Sequence, residues 1–390
     1  MKRSAIRVLA GVFAISALTA IGPAARTTAQ PTHKPLLEFA TATTCPYCAR
    51  AHQALRELDV ERKDTFHYVS LVCDKNATAY ARARNEYNVY GFPTVYFDGG
   101  YVVCVGAGSA AAAKATYLSN LPQCEYRRVP NLDLALQVEW MGPAKMYLSA
   151  TLKNNSSTAY AGHVRIYVTE IQSSLGWRDT NAFLYTYAFL GYAVNQPVSV
   201  GIGQKQDLST VWDGGLQGFP SLTHSNVKVI AAVFNGTGWP GYSVPPNQYP
   251  FTAYYVDQTA AARPGALGAD TRTVSQLGGA VKLGLYAGSQ NGYRGYVIGG
   301  SLSGTTPGMP MPGNRVTLPL NFDLFTTLVV QNANTPMFSR FLGNLDWQGQ
   351  ATATLNVPAV PGTQGLKLYF AFVLYDRFDF VSNPVVVEIR

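Results

Sequence analysis

The stretch Leu36-Leu37-Glu38-Phe39-Ala40-Thr41-Ala42-Thr43-Thr44-Cys45-Pro46-Tyr47-Cys48 decides how the first third of this chain folds. Residues 35–40 are apolar enough to form a buried strand. Residues 45–58 place apolar side chains at helical spacing. The two cysteines therefore sit where a strand turns into a helix. A helix N-terminus carries unpaired N–H groups and the positive end of the helix dipole, so it stabilises a thiolate on Cys45. Cys48 lies one turn on, within reach of a disulfide. Two cysteines at this spacing, at such a turn, are the sequence form of a thiol–disulfide redox site. A structural disulfide and a metal pair share the spacing. Zinc requires a second ligand pair, and none of the five histidines falls at a matching interval. Two soft thiolates also suit Cu(I).

Downstream, residues 66–73 read as a second buried strand and 77–87 as a helix. Residues 91–103 read as a hairpin turning at Asp98-Gly99-Gly100, and 109–121 as an Ala-rich helix. The order is β-α-β-α-β-β-α. This order, with Cys-Pro-Tyr-Cys after the first strand and Gly91-Phe92-Pro93-Thr94 entering the third, resembles the thioredoxin superfamily. The tetrapeptide itself is similar to that of glutaredoxins. The resemblance covers residues 33–125 and implies an α/β thioredoxin-like domain over residues 30–126. It implies Cys45 as nucleophile and Cys48 as the resolving cysteine, with protein thiols or disulfides as partners and no cofactor. It implies a cis Pro93 facing the cysteines; a trans turn proline is the alternative. It also implies that an acid on the first strand relays the proton of Cys48. Glu38 is the candidate, with its pKa raised by burial; the alternative is a strand-end glutamate facing solvent. Thr44 stands where thioredoxins usually carry Trp.

Five cysteines cannot all pair within one chain. Cys73 ends the second strand and reads as a buried free thiol. Cys104 lies in the last strand of the hairpin and Cys124 just past the closing helix. That helix returns antiparallel to its strand, so a Cys104–Cys124 disulfide is one reading and two separate thiols the other.

From residue 127 the texture changes. Residues 132–138, 145–152 and 162–169 alternate with period two, and 227–234 is a denser apolar run. Asn-, Gly- and Pro-rich turns separate them, which argues for a β-sandwich over residues 127–258. Residues 259–275 are small and polar and read as a linker. Residues 276–390 contain seven strand candidates (281–286, 293–302, 315–320, 325–330, 350–357, 366–374 and 384–389) and read as a second all-β sandwich. The tryptophans read as core or turn residues, and His163 and His224 as structural. A thioredoxin module followed by β modules is similar to bacterial surface or outer-membrane proteins, which implies contact with a cell-surface partner through the β domains.

The N-terminus is of a different kind. Lys2, Arg3 and Arg7 precede an apolar run over residues 8–21, and small residues follow at 27–29. Residues 1–29 therefore read as a signal peptide, and the protein as exported: periplasmic, outer-membrane-associated or secreted. No later segment is apolar enough to serve as a transmembrane anchor. The formal charge is +8, and four of those positive charges lie in the acid-free leader. The other basic residues are scattered without a stripe of interleaved aromatics, which excludes nucleic acid as the expected partner. Only 13% of residues are charged, against about 25% in an average soluble domain, which fits β-rich extracellular modules. Two functions remain open on sequence: an exported thiol–disulfide oxidoreductase, and a surface binding or structural protein with the thioredoxin-like module as scaffold.

Overall fold

Strand β1 (Leu36–Thr41) is buried along its whole length. It pairs in parallel with β2 (His67–Val72) and antiparallel with β3 (Thr94–Phe97), so neither edge meets water. Leu37 and Phe39 point to one face of the sheet, and Leu36 and Ala40 to the other. The computed structural model describes residues 30–390; the expected signal peptide lies outside the described residues.

Helix α1 (Pro46–Glu61) follows β1 and packs on the Leu37/Phe39 face together with α3 (Ala110–Glu125). The opposite face carries α2 (Ala77–Ala81) and a π-helical turn, Arg82–Glu86. Strand β4 (Val102–Val105) closes the hairpin. The four strands lie in the order β2-β1-β3-β4. This is the thioredoxin-like domain expected from the sequence.

The all-β part is joined to this domain more closely than its sequence indicated. It begins with β5 (Leu132–Gly142), β6 (Lys145–Asn154), β7 (Tyr160–Gln172), β8 (Thr186–Val200) and β9 (Lys205–Asp213). The long hairpin β10 (Val227–Val244) and β11 (Gln248–Ala262) follows. Strand β8 lies parallel to β2 at its free edge, pairing Ala188 with Ser70, and the Ser70 hydroxyl donates to the Thr186 carbonyl at 2.7 Å. One eight-stranded sheet results, in the order β11-β10-β7-β8-β2-β1-β3-β4. The open edge of a thioredoxin-like sheet is thereby covered. The smaller sheet β5-β6-β9 packs on β7, β8 and β10 around Trp140, Met146, Leu148, Ile166 and Val229.

The burial patterns follow. Strand β6 has one face in the sandwich and alternates buried with part-exposed residues. In β10, residues 227–234 are buried almost continuously. Val229, Ala231 and Val233 face the sandwich, whereas Ile230, Ala232 and Phe234 face the core on the α2 side. The dense apolar run in the sequence is a strand covered on both faces.

Residues 259–275 do not form a free linker, a correction to the sequence reading. Residues 259–262 complete β11, and the next residues form β12 (Leu267–Ala269) and β13 (Thr273–Val274). The small side chains reflect close approach: a Cβ on Gly268 would lie 1.8 Å from the Trp140 carbonyl oxygen. Residues 31–390 accordingly form one unit of contacts, so the boundaries expected at 126, 258 and 275 do not separate independent bodies.

The last part contains β14 (Gly279–Tyr286), β15 (Gly295–Ser301), β16 (Met309–Pro310), β17 (Thr317–Leu318), β18 (Phe338–Ser339) and β19 (Leu342–Asn344). Strands β20 (Gln350–Val357), β21 (Lys367–Leu374) and β22 (Val385–Ile389) complete it. Sheets β12-β14-β20-β18 and β13-β22-β21-β15-β19 enclose a second core around Leu283, Ile298, Phe341 and Phe372. Residues 325–330, expected as a strand, lie instead in helix α4 (Leu324–Gln331). Asp323 and Thr326 form a reciprocal capping box there, satisfying donors at the helix start that the β-branched composition obscures.

The Gly268 contact is testable. Gly268→Ala is expected to lower stability by about 1–3 kcal/mol through overpacking, read as a lower denaturant midpoint. A neutral substitution would show that β12 does not press on β5 as described.

Candidate active site

The site is built at the junction of β1 and α1. Cys45 is the N-cap of α1 and Pro46 its first residue, a position where the missing proline N–H is no loss. The Cys48 N–H points at Cys45 Sγ, 3.1 Å away. The two cysteines form a disulfide, with Cα atoms 5.2 Å apart. Cys45 is partly exposed, whereas Cys48 is fully buried in the core between α1, α3 and the sheet. An incoming sulfur therefore reaches Cys45 first. When the disulfide opens, the Cys48 amide and the helix end already face the sulfur that takes the negative charge.

Pro93 lies against this pair. The Phe92–Pro93 peptide is cis, and the Phe92 carbonyl oxygen is 3.5 Å from Cys45 Sγ. Tyr47 is exposed, with the Arg50 guanidinium 5.0 Å from its ring centre. Arg50 is held by the Gly108 carbonyl at 2.6 Å. The surface beside Cys45 thus offers an aromatic ring, a cation and the loop before β3.

Glu38 is not placed to relay a proton to Cys48. It shares the parity of Leu36 and Ala40 and faces away from α1. Its Oε1 accepts from Arg82 Nε at 2.9 Å and from the Tyr167 hydroxyl at 3.0 Å. Its Oε2 accepts from Arg82 Nη2 at 2.8 Å and from the Tyr87 hydroxyl. Burial pushes its pKa up, but the Arg82 charge and these hydrogen bonds more than offset that, leaving it below the ordinary value of 4.5. The sequence expectation of a raised value is therefore reversed. Glu38 is an ionised structural acid that ties β1 to the turn after α2 and to β7.

The polar group that does lie on the cysteine side is His52, one helical turn beyond Cys48. It is fully buried. The Thr186 N–H donates to His52 Nε2 at 3.2 Å, so the ring proton sits on Nδ1 and is donated to Asp179 at 2.7 Å. Burial lowers the His52 pKa, with Asp179 opposing, and the imidazole is neutral at pH 7. Asp179 is in turn held by the N–H groups of Asn181 and Phe183 at 2.9 and 3.1 Å. Tyr185 packs 4.7 Å from the His52 ring centre and donates to the Ala42 carbonyl at 3.0 Å. Its hydroxyl also meets the Thr41 hydroxyl at 2.8 Å. Residues 173–185, between β7 and β8, therefore brace both the helix and the strand that carry the disulfide. In the sequence only the spacing of His52 from Cys48 hints at this. Asp179 is 127 positions away from His52.

Cys104 and Cys124 are separate thiols, so the disulfide considered from sequence is not formed. The packing of α3 on β4 turns Asn120 toward Cys104, with its amide 3.2 Å from the sulfur. Cys124 is one turn further on and fully buried in the core. Burial pushes the Cys104 thiol up to about 11 and the Cys73 thiol up to about 12, and raises Cys124 as well. Cys73 is a buried free thiol at the end of β2. Among the described residues, no three His, Cys, Asp or Glu side chains gather as a metal site.

These elements define a thioredoxin-superfamily site. Residues 37–102 match the Glutaredoxin family model, and this part of the chain is a glutaredoxin-like, thioredoxin-superfamily domain followed by a large all-β region. Among solved structures, HBP35 of Porphyromonas gingivalis is 14% identical over 61% of this chain and 76% of its own, with a TM-score of 0.44. Protein AGR_C_4864 from Agrobacterium tumefaciens is 14% identical over 60% of this chain and 96% of its own, with a TM-score of 0.32. No curated protein matches.

Glu38 gives a test of these assignments. Glu38→Gln leaves the buried Arg82 with only the exposed Glu86 as its charge partner and is expected to cost about 3 kcal/mol of stability, the lower end for breaking a buried pair. Because the folded pKa is lowered, the contribution of Glu38 is fully present above about pH 4.5 and is lost as pH falls through the folded value. The difference between the wild type and Glu38→Gln should therefore shrink on acidification, as measured by denaturant unfolding across pH. A difference that grows in acid would contradict the assignment.

Proposed function

We propose that the protein is an exported thiol–disulfide oxidoreductase that acts on protein thiols or disulfides through Cys45 and Cys48. The observation that carries this reading is the Cys45–Cys48 disulfide, its first sulfur open to a partner and its second buried. In the reducing direction the Cys45 thiolate attacks a partner disulfide. A Cys45–partner bond forms and the first partner sulfur leaves as a thiolate. Cys48, deprotonated, then attacks Cys45 Sγ, closing the internal disulfide and releasing the second partner sulfur. Two electrons pass to the partner, and its two thiolates take up two protons. The oxidising direction is the reverse, and the reduction potential relative to the compartment sets which one runs. An N-terminal leader and a disulfide-compatible compartment fit together.

A second reading treats the thioredoxin-like domain as scaffold for a surface-binding β protein. The shared eight-stranded sheet favours it, because the domain is built into the β region rather than tethered to it. No helix among the described residues is long and apolar enough to cross a membrane.

Turnover separates the two. The reduced wild type is expected to reduce a small-molecule disulfide catalytically when a reductant regenerates it. Cys45→Ser should fall to the uncatalysed rate, while folding and thermal midpoint stay close to those of the wild type. Equal rates for the wild type and Cys45→Ser would exclude the enzyme reading and leave the scaffold reading.

A further inference from the structure

The far end of β1 holds a different kind of site. Six residues of extended strand separate it from Cys45, a span of about 20 Å. There a cavity of about 990 Å³ opens between the thioredoxin-like domain and the β10–β11 hairpin. Lys34, Lys63, Lys228 and Arg263 line it, facing Asp59 and Asp64. The Arg62–Glu125 ion pair on its wall is closed on itself at 2.7 Å. None of the four other cations forms an ion pair among the described residues. Four cations against two acids leave two positive charges in excess.

Lys228 is the least accounted for. It is partly buried in the lining of the cavity, and its ammonium group rests 4.4 Å from the Tyr187 ring centre. Asp59, on the same cavity wall, accepts from the Tyr187 hydroxyl at 3.0 Å. Burial lowers the Lys228 pKa, with Asp59 and Asp64 opposing from beyond ion-pair distance, and a part-desolvated ammonium without an ion-pair partner is costly unless an anion joins it. His67 opens β2 in the same wall. Its Nδ1 is buried without a hydrogen-bond partner. Burial, with Lys228 and Lys34 nearby, pushes its pKa down to about 3, so it is a neutral imidazole with a ring nitrogen still to be satisfied. A second basic cavity, above the Glu38 cluster, differs in this respect. Its Arg82 and Arg165 are already paired, with Glu38 and Glu86.

We propose that the cavity lined by Lys34, Lys63, Lys228, Arg263 and His67 binds a phosphate monoester. A monoester carries close to two negative charges at pH 7 and several acceptor oxygens, matching the excess charge and the four cations that lack an ion-pair partner. Ammonium and guanidinium groups recognise it through charge-assisted hydrogen bonds. The cavity is larger than a bare phosphate requires and falls in the range of small-molecule sites, so it has room for the esterified part. The same chemistry is offered by a soluble phosphorylated metabolite and by a phosphomonoester lipid headgroup.

The test uses the full oxidised chain at low salt. Glycerol 3-phosphate is titrated by calorimetry, and vesicles with and without phosphatidic acid by co-sedimentation. Saturable binding in either arm is expected, with a rise in thermal midpoint for the soluble ester. Binding confined to the phosphatidic acid vesicles assigns the headgroup, and binding of the soluble ester assigns a metabolite. Lys228→Met is expected to weaken binding at least tenfold, while its unliganded midpoint is equal to or above the wild type, since an unpaired charge has been removed. Arg263→Gln, at an exposed position, should weaken binding without altering the fold, and Lys205→Met, outside the cavity, should leave it unchanged. Absence of binding at millimolar ester and to both vesicles would overturn the proposal. So would equal losses in Lys228→Met and Lys205→Met, which would mark nonspecific charge attraction. None of these readouts depends on the disulfide being catalytic.

Discussion

A buried carboxylate organises this molecule. Glu38 sits in the central strand with no access to water, and four hydrogen bonds from Arg82, Tyr87 and Tyr167 keep it ionised. Such a group is tolerated in an apolar interior only when its partners are complete, so it fixes where those partners must be. Arg82 and Tyr87 belong to the segment that leads into Phe92 and Pro93, beside the disulfide. Tyr167 belongs to β7, in the β region. One acid therefore aligns the strand before the cysteines, the loop facing them and the sheet that extends beyond them.

The two faces of the shared sheet divide the work. On the Glu38 face the thioredoxin-like domain is joined to β7 and β10 through a common core. On the other face lie α1, α3 and the cysteines, and there too the β region reaches in. The segment between β7 and β8 places Asp179 against His52 and Tyr185 against Thr41 and Ala42. The helix that carries Cys48 is thus held by residues that an isolated thioredoxin-like domain would lack. Removing the β region would expose the edge of β2 and strip His52 of its partners and its cover.

The sequence was legible where one local pattern has one structural meaning. A strand, a cysteine pair, a helix and a Gly-Phe-Pro-Thr entry have few arrangements, and the succession β-α-β-α-β-β-α of a thioredoxin-like domain was readable from them. Period-two alternation in 145–152 marked a half-covered strand for the same reason. The misreadings share a cause. Every residue of β1 is buried, so apolar spacing carried no information on which face Glu38 points to, and the parity had to come from packing. The small residues of 259–275 signal close backbone approach as readily as flexibility, and Gly268 against Trp140 shows which holds here. Residues 325–330 are apolar and β-branched enough for a strand, yet the Asp323–Thr326 cap makes a helix. The joining of β8 to β2 rests on a single paired position between segments more than a hundred residues apart, and His52–Asp179 on a contact of similar reach. No local pattern encodes either.

Cys45 is the sulfur that meets partners; Cys73 and Cys124 are buried, and Cys104 is part-buried against Asn120 with its thiol pushed up to about 11. The most direct measurement is peptide mapping of reduced, folded Cys48→Ser protein after brief exposure to oxidised glutathione. Without Cys48 to resolve it, a mixed disulfide should accumulate on Cys45 and leave the other three thiols unmodified. An adduct found mainly on Cys104, or no adduct on Cys45, would contradict the account.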